Sequence, residues 1–164
     1  MTKNIEIIRT FNVPRDLVFK AFTEAGHLVQ WWGPKGWKLE ITKSEFKAGG
    51  VFHYSQTSSE GHKMWGKFVY KEISAPDKLV YTNSFSDEDG NTLRAPFNAN
   101  WPLEILNTLT FTESESGETT TLTMIGEPVT PTEEEIKTFE ASKGMVQQGF
   151  SGTFHQLTEY LSKI

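Results

Sequence analysis

Cysteine is absent from the 164 residues, which excludes disulfides, thiolate metal sites and a cysteine nucleophile. No stretch approaches the ~20 apolar residues of a membrane-spanning helix. Met1–Phe11 carries charge and lacks the apolar centre of a signal peptide, so the expected location is the cytoplasm. There are 16 basic and 21 acidic residues, a formal net charge of −5. No basic cluster interrupts that balance, and a nucleic-acid partner is not expected without one. His27, His53, His62 and His155 include no pair at metal-ligand spacing. The chain also lacks a G-x-S-x-G elbow, a G-x-G-x-x-G turn and a P-loop, so no metal, serine triad, nucleotide or other cofactor is expected.

What the chain has in quantity is aromatic side chains. They make up 13% of residues, with 12 Phe and 5 Trp. Rings in that number must fill a core, line a cavity or form an interface. The composition, 37% hydrophobic and 23% charged, is that of a globular chain able to fold as one domain over residues 1–164.

Ile5 to Phe11 alternates apolar and polar residues and reads as a strand. Pro14 suits the first turn of a short helix that carries Leu17, Val18, Ala21 and Phe22. Thr23 is a candidate cap for a second short helix through Trp31. Gly33-Pro34-Lys35-Gly36 ends it. Strands are then expected over Trp37–Glu45, Val51–Gln56, Lys63–Ser74, Leu79–Phe85, Leu103–Thr112 and Thr119–Ile125, with Asn91–Asn100 as a loop. Turn-forming clusters such as Asp89-Gly90 separate them, the pattern of an antiparallel meander. Thr130 and Thr132 each have a glutamate three residues on, so a capping box can form at either. Helical spacing continues from there through Leu161 and predicts one long helix, about Thr132 to Ser162. Phe139, Val146, Phe150 and Leu157 share one stripe of it, facing the sheet.

Two features argue for a cavity under that helix. The first is polar residues on apolar strand faces. Gln56 shares a face with Phe52 and Tyr54. Asn83 shares one with Tyr81 and Phe85, and Asn107 one with Ile105 and Leu109. A buried amide without a partner costs about 1–3 kcal/mol, and a wet or ligand-filled cavity would supply partners; amides bonding one another in a closed core are the alternative. The second is Gly144, Gly149 and Gly152 inside the helix, each costing about 1 kcal/mol relative to alanine. They imply close backbone approach, a kink, or space kept for a ligand; a helix broken near Gly144 is the other reading.

Several segments, in order, carry a resemblance: Val13-Pro14, Trp31-Trp32-Gly33-Pro34, Gly49-Gly50-Val51-Phe52, Gly66-Lys67-Phe68, Leu79-Val80-Tyr81-Thr82 and Trp101-Pro102-Leu103-Glu104. Phe111-Thr112-Glu113 and Met145, Gly149-Phe150 and Leu157 complete the set. The chain resembles the START-like (SRPBCC) superfamily, and within it the family related to the activator of heat-shock protein 90 ATPase. Where Phe150 stands, that family more often has tryptophan. The resemblance implies an α+β helix-grip fold: a curved antiparallel sheet wrapped around a long C-terminal helix, with two short helices after the first strand. Its members bind small molecules, act as cyclases or dehydratases, or assist a chaperone, so it implies no single function.

The expected function is binding of a small apolar or amphipathic molecule, by a monomer or homodimer. A cyclase- or dehydratase-type enzyme and a chaperone-interacting module are the alternatives. The candidate cavity residues are Trp37, Phe52, Tyr54, Gln56, Tyr81, Asn83, Phe85, Trp101, Asn107, Met124, Phe139, Val146 and Phe150. No catalytic residue is assigned; Tyr54, Tyr81, His53, Arg94 and Glu104 are the groups from which an acid or base would come. His53 falls on the parity opposite Tyr54 and is expected to face outward. Trp31, Trp32 and Trp37 form a lid or close the core. The loop from Arg94 to Trp101 is a candidate specificity or dimer contact.

Overall fold

The computed structural model describes residues 4–164. In chain order the elements are β1 (Ile5–Phe11), α1 (Arg15–Thr23), α2 (Ala25–Trp31), β2 (Lys38–Ser44), β3 (Val51–Thr57), β4 (Lys63–Ser74), β5 (Lys78–Ser86), β6 (Thr92–Leu93), β7 (Ile105–Glu113), β8 (Thr120–Pro128), α3 (Glu133–Ala141) and α4 (Lys143–Leu161). The strands form one eight-stranded antiparallel sheet in the order β1-β8-β7-β5-β4-β3-β2, with β6 paired to β5. The helices pack on its concave face. This is the α+β helix-grip arrangement.

One irregularity in the sheet matters most. β5 pairs with β7 only from Lys78 to Asn83. Beyond Asn83 it leaves β7, and Phe85 and Ser86 pair with Leu93 and Thr92 of β6 instead. The sheet therefore opens between β5 and β7 just past Asn83 and Ile105.

The core fills one end of the concave face. Phe19, Phe22 and Trp31 from α1 and α2 meet Phe154, Leu157 and Leu161 from α4 over a floor that includes Phe11, Phe68, Tyr81 and Phe111. Edge-to-face contacts dominate, such as Phe22 on Trp31 at 4.8 Å and Phe19 on Phe111 at 5.3 Å between centroids. Every fully buried residue of α4, namely Thr153, Phe154, Leu157 and Leu161, lies in its C-terminal half. In the N-terminal half only Val146 and Phe150 among the apolar residues are half-buried toward the sheet.

The long C-terminal helix is interrupted at Ser142 (φ −97°, ψ −1°), which ends α3 and precedes α4 while staying in the right-handed region. Thr132, not Thr130, forms the capping box. Its hydroxyl accepts from the Glu135 N–H, and the Glu135 carboxylate accepts from the Thr132 N–H. At the start of α2 the cap position is Glu24 rather than Thr23, whose hydroxyl bonds back to the Phe19 carbonyl. The expected loop Asn91–Asn100 contains β6. A Cβ built on Gly144, Gly149 or Gly152 would meet nothing within 4 Å. Close backbone approach is therefore not their reason; all three face open space.

Candidate functional site

Between α4 and the sheet, around the split of β5 from β7, lie two adjoining hollows, the lobes of one candidate cavity. The first has a volume of about 290 Å³ and lies between the Trp32-Gly33-Pro34 turn, Tyr54 and Gln56 of β3, Met64 to Gly66 of β4, and Gly149, Phe150 and Thr153 of α4. The second, about 190 Å³, is bounded by Ile5, Ile105, Met124 and Phe139 and roofed by Phe97 and Trp101. Asn83, Ser84, Phe85, Val146 and Phe150 line both. The lobes adjoin across these five residues, beside the point where β5 departs from β7.

Each wall has a local cause. Gly33 has φ +106°, and a Cβ there would lie 2.2 Å from the Gln56 amide nitrogen. Its carbonyl accepts from the Gln156 amide at 2.6 Å and from the Thr153 hydroxyl at 3.4 Å. The Gly-Pro turn is thus pinned to α4 and sets the width of the first lobe. Gly33→Ala is expected to cost about 1–3 kcal/mol through the disfavoured backbone alone, read as a lowered denaturation midpoint. Gly66 serves Tyr54 similarly: a Cβ there would lie 2.7 Å from the phenol oxygen, so the phenol lies across a bare backbone.

Over the second lobe, the loop between β6 and β7 lays Phe97 on Phe85 and Trp101 on Phe139, with centroids 5.7 and 5.5 Å apart. Arg94 holds that loop. Its guanidinium pairs with the buried Glu135 carboxylate and also donates to the Trp101 carbonyl. Glu135 therefore caps α3 and anchors the roof together.

Tyr54, Gln56, Asn83, Phe85, Trp101, Asn107, Met124, Phe139, Val146 and Phe150 all line a lobe. Three expected residues do not. Phe52 is fully buried in the core, stacked on Tyr54 at 5.1 Å. Tyr81 is likewise buried, its ring stacked on Phe68 at 4.1 Å. Both lie deeper along the strand faces, where the core is filled. Trp37 precedes β2 and lines a third hollow with Lys63, Trp65 and Arg94. The strand-face argument is also corrected in part: Asn107 donates to Asn83 Oδ1 at 3.1 Å and to the Ile105 carbonyl, so the two amides meet some of each other's needs. His53 lies on the face away from Tyr54, yet it is buried. It stacks on Trp65 at 5.1 Å and bonds Thr42, Ser86 and the Asp87 carbonyl.

Sequence reasoning missed Met64 and Trp65; it gave Trp32 as a candidate lid residue and Phe97 as part of the candidate specificity loop, but neither as cavity lining. Trp32 and Phe97 come from loop positions that no strand periodicity covers. Met64 and Trp65 are neighbours near the start of β4, paired with Gln56 and Ser55 of β3.

No charged side chain lines either lobe among the described residues. Burial pushes the Tyr54 phenol up to about 12; the Trp32 indole N–H nearby opposes that rise slightly without reaching hydrogen-bond geometry. Burial raises Tyr70 and Tyr81 as well. An acid whose folded pKa exceeds its unfolded value of 10.0 stabilises the fold fully below that pH and loses the contribution as pH climbs toward 12. Phenolate absorbance from these rings should therefore appear together with loss of circular dichroism above about pH 10. Ionisation well before unfolding would show that the rings are open to water.

The sequence profile described as activator of Hsp90 ATPase homolog 1-like protein matches residues 12–162. The chain belongs to this family. No curated protein matches it. Among solved structures, this activator-like chain is similar to an Arthrobacter aurescens protein at 26% identity and TM-score 0.81, over 99% of this chain and 88% of that one. A Staphylococcus epidermidis protein is 24% identical with TM-score 0.79, over 99% and 92% of the two chains. An AHSA1 protein from Silicibacter pomeroyi is 15% identical with TM-score 0.73, over 97% of each. These likenesses place the activator-like chain in the START-like fold. No helix among its described residues is long and apolar enough to cross a membrane.

Proposed function

We propose that the chain binds a small apolar or amphipathic molecule in the two-lobed cavity between the sheet and α4. The observation that carries this reading is the adjacency of the two lobes, which share Asn83, Phe85, Val146 and Phe150 as lining. Together the lobes reach the ~300–1,000 Å³ usual for small-ligand sites, with ring-lined walls and a few convergent polar groups. The high pKa of Tyr54 keeps its phenol protonated, which suits holding a ligand rather than accepting a proton. Family membership also supports a chaperone-associated role, and the exposed Leu93, Phe97 and Leu103 offer apolar surface for it.

A thermal-melt series with an uncharged naphthalene probe tests the ligand reading. A ligand specific for the native state raises the midpoint in proportion to the logarithm of its concentration. No rise at any soluble concentration would contradict ligand binding and leave the chaperone-associated reading.

A further inference from the structure

We infer that the cavity takes an uncharged amphiphile in one orientation, with a carbonyl group in the first lobe and a hydrocarbon body in the second. This rests on the ligand-binding reading and narrows its ligand.

Unspent hydrogen-bonding capacity gathers in the first lobe and is rich in donors. The Trp32 indole N–H is buried without a hydrogen-bond partner. The Tyr54 hydroxyl has only that indole nearby, and the Gln56 amide makes no hydrogen bond among the described residues. At the junction, Asn83 spends its oxygen on Asn107 and keeps its N–H₂ free. These donors are all neutral. A carboxylate or phosphate entering the lobe would give up its hydration with no cation to meet it, whereas a carbonyl oxygen gives up far less and can accept from several of them. The second lobe differs in how far its polar groups are already engaged, not in how much polar surface it has; it shares Asn83 and Ser84 with the first. Ile5, Ile105, Met124 and Phe139 form its walls, and of its polar side chains Asn107 is already engaged with Asn83 and Ile105. It matches a hydrocarbon body.

Three matched probes test this on the full chain by titration calorimetry at neutral pH: 2-acetonaphthone, 2-ethylnaphthalene and 2-naphthoate. The ketone should bind about tenfold tighter than the hydrocarbon, as donors otherwise left unpaired are met. It should bind at least about tenfold tighter than the carboxylate, which carries a buried charge. In Tyr54→Phe and in Gln56→Leu the ketone-to-hydrocarbon ratio should fall to within about twofold. The carbonyl stretch of the bound ketone should be lowered in the parent and less so in Tyr54→Phe, a readout that general loosening of the fold would not give. A carboxylate binding as tightly as the ketone would overturn the inference. So would a ratio that neither variant changes. If the hydrocarbon binds as well as the ketone, the cavity reading stands and the carbonyl assignment fails. If none of the three binds, both fail.

Discussion

Phe154→Ala should destabilise the protein by about 3–5 kcal/mol, the usual cost of removing a fully buried ring from a packed core. Phe154 is 1% exposed and touches Phe11, Phe22, Trp31 and Phe150, with centroids between 5.7 and 6.4 Å. It joins α4 to the two short helices and to β1, so truncation would leave a void that no neighbour can close. Phe150, one turn earlier, is only half-buried and lines both lobes. Phe150→Ala should cost only about 1–2 kcal/mol, because much of its ring already borders empty space. Denaturant unfolding of both variants checks the contrast. Equal losses would mean that α4 packs evenly along its length and that the cavity is filled by side chains.

Val146→Phe should abolish probe binding while changing stability by less than about 1 kcal/mol. Val146 projects from α4 at the junction of the lobes and packs beside Ile5, Ile105 and Phe139. A larger side chain there enters the space a ligand would occupy rather than a filled core. Asn107 is a worse place for such a block: it is 3% exposed, bonds Asn83, and its Oδ1 lies 3.1 Å from where a Gly126 Cβ would be. Loss of the thermal shift in Val146→Phe, with its own midpoint near the parent's, is the expected result. An undiminished shift would locate the binding site outside the two lobes.

The fold was legible because its signals are local. Alternation marked β1, turn residues marked the meander, and the Thr132–Glu135 box marked the start of the terminal helix. The family resemblance then supplied the wrapping of sheet around helix, which periodicity alone does not give. The break at Ser142 matches the alternative of a helix broken near Gly144, which the same helical spacing on both sides made the less favoured reading. The cavity was partly legible. Strand parity put Gln56, Asn83 and Asn107 on the inner faces, but parity says nothing about depth. Phe52 and Tyr81 share those faces and lie in the filled end of the sheet. What divides filled from open is the departure of β5 from β7 at Asn83, a long-range pairing that no local pattern encodes. Of the three glycines of α4 only Gly149 lines a lobe; Gly144 and Gly152 are exposed and line neither.

The most direct test uses the methionine methyl groups as reporters. Met64 lines the first lobe, Met124 lines the second, and Met145 lies on the outside of α4 at 68% exposure. In protein labelled with ¹³C at the methionine methyls, titration with 2-ethylnaphthalene should shift the Met64 and Met124 signals together, with nuclear Overhauser contacts from both to the bound probe, and leave Met145 unmoved. Contacts confined to Met145, or saturable binding that moves neither Met64 nor Met124, would contradict a continuous cavity between the sheet and the helix.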